Sequence, residues 1–190
     1  MNVTRLGASV TGLIGVWVLF AVVATAYPQG PDPAVSGGFG EPTCNQSGCH
    51  AAFPLNAGRN DGLGDLLING FPEQFEPGKT YPIEVVVSHT QDRSVWGFQL
   101  ATRIAGTGAQ AGELKPLDDD ATQVLKAGGV QYIEHTLDGI GSNTFDFNWV
   151  APTAAGGDII VNAAGNAADG DFGPDGDYIY TSSVEVSAAK

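Results

Sequence analysis

YPIEVVVSHT, residues 81–90, decides the fold. Strict period-two alternation puts Tyr81, Ile83, Val85, Val87 and His89 on one face of an extended chain. The same alternation recurs on both sides of it. In WGFQLATRIA (96–105), Trp96, Phe98, Leu100 and Ile104 oppose Gly97, Gln99 and Arg103. In TFDFNWVAP (144–152), Phe145, Phe147 and Trp149 oppose Asp146 and Asn148. VQYIEHT (130–136), DIIVNAAG (158–165) and DYIYTSSVEVS (177–187) complete a set of about six short strands separated by glycine-rich turns. Such a set predicts an all-β fold, an antiparallel β-sandwich. One short helix is expected over DDDATQVLKAGG (118–129), where aspartates cap the start and glycines follow the last turn.

Composition agrees with many turns and few helices: the 190 residues include 27 glycines and 11 prolines. Acids outnumber bases 21 to 8, a formal charge of −13, and no basic run exists to neutralise phosphates. Nucleic acid and anionic lipid are therefore excluded as partners. No G-x-S-x-G turn and no H-E-x-x-H helix points to hydrolysis.

Outward from the strands, the organisation falls into three parts. Residues 1–26 carry one early positive charge, Arg5, an uncharged apolar run and the ending Ala24-Thr25-Ala26. That layout predicts a secretory signal peptide cleaved after Ala26, with an uncleaved membrane anchor as the alternative. Either way the rest lies outside the cytoplasm, and after cleavage no membrane span is expected. Residues 27–65 are punctuated by proline and glycine too often for a helix or a sheet interior, so they read as an extended segment. Residues 66–190 are the β-sandwich domain.

The extended segment holds both cysteines of the chain, in EPTCNQSGCH (41–50). Three chemistries suit Cys44, Cys49 and His50. Two cysteines in an oxidising compartment usually pair, but a Cys44–Cys49 disulfide closes a very small loop and leaves His50 without a role. Two thiolates and one imidazole are one ligand short of a zinc site. Covalent haem needs two thiols for the vinyl groups and a histidine after the second for the iron. Here the usual C-x-x-C-H spacing is widened to C-x4-C-H, and Gly48 gives the wider loop conformational freedom.

The stretches PGKTYPIEVVVSHT, WGFQL, YIEHT, FDFNWVAP and AAGNAADGDFGPDGDYIYTSS resemble, in that order, a bacterial family of secreted Reeler-like β-sandwiches often labelled choice-of-anchor V. The resemblance spans roughly residues 40–186. In that family a glycine- and proline-rich segment with a C-x-x-C-H motif precedes the sandwich, the place this chain gives to C-x4-C-H. The resemblance implies a Reeler- or immunoglobulin-like sandwich preceded by a haem-bearing segment, with haem c on Cys44 and Cys49 and His50 as proximal ligand.

The second axial ligand is then a matter of elimination. The only methionine is Met1, leaving His89 as the first candidate and His135 as the alternative. Either would clamp the segment to the sandwich, which matters because residues 27–65 carry too few apolar side chains to order themselves. Calcium is a weaker cofactor candidate, on the aspartates of DGDFGPDGDY (169–178).

Two functions follow from these readings. One is a secreted or periplasmic monohaem c-type cytochrome that is not an enzyme, transferring electrons to a redox partner protein or to neighbouring copies of itself. The other is a surface adhesion or display module in which Cys44 and Cys49 form a disulfide.

Overall fold

The computed structural model describes residues 27–46, 49–154 and 156–188. Residues 1–26, where a signal peptide is expected, and Ser47 and Gly48 within the cysteine loop, lie outside the described residues. A single-turn helix, α1 (Ala57–Asn60), precedes nine strands: β1 (Gly64–Asn69), β2 (Thr80–His89), β3 (Val95–Ile104), β4 (Glu113–Pro116), β5 (Thr122–Ala127), β6 (Val130–His135), β7 (Thr144–Val150), β8 (Ile159–Ala168) and β9 (Tyr178–Val186). They form two antiparallel sheets, ordered β1-β2-β7-β4 and β5-β6-β3-β8-β9. No described helix is long and apolar enough to cross a membrane.

Register explains why the alternation works. Ile83 lies opposite Phe147, Tyr81 opposite Trp149 and Val85 opposite Phe145. Each buried face of β2 therefore meets the buried face of β7, and all six side chains turn inward onto Phe98 and Leu100 of the second sheet. At about 1.5–3 kcal/mol per fully buried large apolar side chain, this inner layer supplies the main driving force for closing the two sheets.

Three expectations are corrected. The helix expected over 118–129 is a turn followed by β5. Ala127 pairs with Val130, so Gly128 and Gly129 form a two-residue hairpin rather than a helix stop. Both have positive φ, 56° and 83°, which a two-residue type I′ turn requires at both central positions. The aspartate run makes a local turn instead of a helical cap: Asp118 Oδ1 accepts the Asp120 amide at 3.0 Å. The strand count is nine rather than six, because β1, β4 and β5 are short and two of them carry no clean alternation. The segment of 27–65 also contains α1, and β1 begins inside its expected end.

The feature that positions the site is the outer face of β3. Gln99 and Arg103 alternate with core residues and would ordinarily meet water, yet they are 1% and 4% exposed. Residues 27–46 lie over them. The Val35 amide donates to Gln99 Oε1 at 2.8 Å, and Gln99 Nε2 donates to the Asp32 carbonyl at 3.1 Å. Arg103 pairs with Glu41, which also accepts from Tyr132 Oη at 2.5 Å and Ser36 Oγ at 2.7 Å. Further along, the Asn56 amide donates to the Ile179 carbonyl at 2.9 Å and Phe53 stacks on Tyr178 at 4.2 Å. Buried polar groups of the sheet thus hold a segment that has little core of its own, a task that sequence reasoning assigned to an iron bond.

This fastening depends on pH. Burial works to raise the Glu41 carboxyl, but the bonds from Arg103, Tyr132 and Ser36 outweigh it and leave its pKa below the ordinary 4.5. A carboxyl lowered in the folded state contributes stability above its unfolded pKa and loses it as pH falls through the folded value. Acidification below 4.5 is therefore expected to move the NMR resonances of residues 32–41 toward free-chain values while those of β2 and β7 hold. Glu41→Gln should flatten that dependence; an unaltered pH profile in the variant would assign it to another group.

Candidate functional site

The cysteine loop is closed by its own backbone. The Cys44 carbonyl accepts the Gln46 and His50 amides at 3.1 and 3.0 Å, and the Gln46 carbonyl accepts the Cys49 amide at 2.9 Å. Asn45 staples the loop from within, its Nδ2 donating to the carbonyls of His50 at 3.0 Å and Phe53 at 2.7 Å. Cys44 and Cys49 are unbridged. Although Cys44 keeps some accessible surface, its surroundings push the thiol up to about 12: burial first, then the neighbouring Cys49 and Glu134 charges. Without a metal it is therefore a neutral thiol at physiological pH rather than a reactive thiolate.

Both cysteines and His50 open into one cleft, between the segment and the outer face of the five-stranded sheet, with the 169–177 loop at its side. The cavity is about 170 Å³ and open to solvent at its mouth. The lining is mostly apolar, including Val35, Val95, Trp96 and Ile140, with Phe172 exposed at the rim. Its floor exists because the outward positions at this end of β3 and β8 are small: Gly97, Ala164 and Ala168.

His135 lines the same cleft. It shares strand parity with Ile133, but β6 ends there and the ring lies across Gly97; a methyl at 97 would sit 2.7 Å from His135 Cε1. Its Nδ1 is 3.1 Å from the Phe98 amide nitrogen and 3.2 Å from the Phe98 carbonyl oxygen. Burial lowers its pKa, against backbone bonds with Phe98 and Tyr27, so the ring is neutral, the form that ligates metal.

His89 is elsewhere. Its Nδ1 is 2.6 Å from Tyr180 Oη, its ring packs on Tyr178 at 4.5 Å, and it lines a separate groove with Arg59 and Asp65. The structure thus brings Cys44, Cys49, His50 and His135 together and leaves out His89, the first candidate for the distal side.

Two groups have roles that sequence reasoning did not give them: Glu134 was not singled out, and Asp177 was read only among the calcium aspartates. Glu134, fully buried beside the segment, accepts from Gln99 at 2.8 Å and Gln123 at 3.2 Å. Burial raises it to about 7 despite those bonds, and the Asp32 charge adds to the rise. Asp177, 1% exposed, places Oδ2 2.6 Å from His50 Nδ1. Of the aspartates proposed for calcium, Asp169 Oδ1 accepts the Asp171 amide and Asp171 Oδ1 the Gly173 amide. Among the described residues no three His, Cys, Asp or Glu side chains converge as a metal-ion site.

The chain is an antiparallel β-sandwich with an extended segment laid over one sheet, forming a cleft that gathers two thiols and two imidazoles. No protein-family model matches it, and no curated protein does. Among solved structures it is similar to the reeler domain of human F-spondin, at 19% identity and TM-score 0.49, covering 66% of this chain and 89% of that one. It is also similar to a cohesin module of a Clostridium perfringens family 33 glycoside hydrolase, at 13% identity and TM-score 0.47, covering 66% and 96%. A third is AggA, the major subunit of aggregative adherence fimbriae type I from Escherichia coli, at 15% identity and TM-score 0.39, covering 66% and 95%.

Proposed function

We propose that the protein is an extracytoplasmic monohaem c-type cytochrome that transfers electrons, with haem on Cys44 and Cys49, His50 as proximal ligand and His135 as distal ligand. The observation that carries this reading is the shared cleft: both thiols, His50 and His135 line one mostly apolar space over a floor of small residues. A haem bound there supplies a one-electron couple between ferric and ferrous iron. The chain's own residues do the rest. The backbone ring from Cys44 to His50 sets the spacing of thiols and imidazole. Val35, Trp96 and Ile140 exclude water from the faces of a planar apolar group. His135 Nδ1 is within reach of both the Phe98 amide, from which it would accept, and the Phe98 carbonyl, to which it would donate; ligation through Nε2 requires the second tautomer and release of the ring by Tyr27.

The test is the visible spectrum of the purified protein after acid-acetone extraction, with its intact mass. A Soret band that survives extraction, and one haem of added mass, support the reading. A colourless protein two protons lighter than its free-thiol mass overturns it in favour of the disulfide-closed display module. For the distal side, His135→Ala is expected to convert a low-spin spectrum to high-spin, whereas His89→Ala leaves it low-spin. The reverse pattern would return the distal role to His89.

A further inference from the structure

Asp177 has no other evident reason to be buried. It sits just before β9, 1% exposed, and its Oδ1 accepts the Asp169 amide at 3.2 Å. Its Oδ2 faces His50 Nδ1 at 2.6 Å. No arginine or lysine among the described residues pairs with it; nearby Arg93 lies instead over the Tyr178 ring, at 5.0 Å. A buried carboxylate needs donors or an opposite charge, and His50 is the one side chain offering either. The approach is close but off the N–H axis, so Nδ1 is left without a straight hydrogen bond in this geometry.

We propose that Asp177 is the positioning residue of the proximal ligand, accepting a hydrogen bond from the Nδ1–H of His50 so that Nε2 is the ligating nitrogen, and thereby lowering the reduction potential of the haem. This rests on the cytochrome reading. A carboxylate on the outer nitrogen of a metal-bound imidazole fixes its tautomer and orientation and raises its basicity. The added electron density stabilises ferric iron over ferrous, so the one-electron step Fe(III) + e⁻ → Fe(II) becomes less favourable. Its effect opposes burial in the cleft, which disfavours the extra positive charge of the ferric state.

Potentiometric titration of the haem-loaded full chain tests this with Asp177→Asn, an isosteric change. The variant is expected to hold at least tenfold more reduced protein at a fixed ambient potential, an upward shift of 59 mV for one electron. Asp177→Glu, which keeps the charge, should recover part of the difference. An unchanged potential in Asp177→Asn, with covalent haem present, overturns the proposal. A second measurement is independent of haem and of how the variant folds. In ¹⁵N-labelled wild-type protein without haem, neutral His50 should carry its proton on Nδ1, against the free-solution preference for Nε2. A His50 protonated on Nε2 overturns the role of Asp177. Absence of covalent haem, by contrast, sinks the cytochrome reading and leaves the tautomer result standing.

Discussion

Replacing Trp149 with alanine is expected to cost about 3–5 kcal/mol, a large share of the roughly 5–15 kcal/mol that holds a domain folded. The indole is fully buried on β7. It touches Phe71 at 5.1 Å, Tyr81 at 5.6 Å and the edge of Phe75 at 6.0 Å, so three rings from β2 and the connection before it would face the hole. These rings belong to different elements and cannot all collapse into the space, which places the cost in the cavity range rather than that of a conservative swap. The hydrogen bond from Nε1 to the Ala111 carbonyl, 3.0 Å, adds little to the loss, because that carbonyl also accepts Thr102 Oγ1 at 2.8 Å. Trp149→Phe should therefore cost far less than Trp149→Ala. Urea unfolding of the three proteins checks this, and a loss below about 1 kcal/mol for the alanine variant would show that the two sheets do not depend on this layer.

The second large effect is expected at Arg103. Its guanidinium is buried, pairs with Glu41, reaches Tyr132 Oη at 3.2 Å and Ser36 Oγ at 3.4 Å, and lies over the rings of Phe39 and Tyr132. Arg103→Ala leaves the Glu41 carboxylate under the segment without its cation, and removing one partner of a buried pair typically costs about 3–5 kcal/mol. Because Glu41 belongs to the segment and Arg103 to the sheet, the cost should appear first as local release. Hydrogen exchange should speed up across residues 29–41 while β2, β7 and β8 keep their protection. Arg103→Met combined with Glu41→Leu should recover most of the loss, since replacing both charges removes the desolvation penalty along with the attraction. Equal protection of 29–41 in Arg103→Ala and the parent chain would show that other contacts hold the segment.

Period-two alternation in 81–90, 96–105 and 144–152 was enough to read the sandwich, because those strands bury one face against the other sheet. Strands that are short or run along an edge were not legible. β4 is four residues ending in proline, and β5 was hidden because its hairpin glycines also suit a helix end. At the site, the residue types of the cysteine loop stood out from local spacing alone. His135 and Asp177 did not, since what makes them relevant is the approach of β6 and the β8–β9 loop to a segment over 80 residues away in sequence. His89 lies away from the cleft for a similar reason: its alternation is real, but Tyr178 and Tyr180 close over that end of β2 from a different strand. Alternation placed Arg103 only on the face opposite Phe98 and Leu100, and nothing in the strand says that another part of the chain will cover that face.

The docking of residues 56–59 against β9 has a consequence for how the protein meets others of its kind. β9 ends its sheet, so one side of its backbone would be unpaired. Asn56 occupies that side as a short surrogate strand: its amide takes the Ile179 carbonyl, its Oδ1 accepts the Thr181 amide at 2.9 Å, and Arg59 donates to the Thr181 carbonyl at 2.7 Å. Three groups that would template a foreign strand are thereby already satisfied from within the chain. Losing this stretch to proteolysis would bare an edge flanked by tyrosines, and the damaged molecule would then be prone to strand-by-strand aggregation.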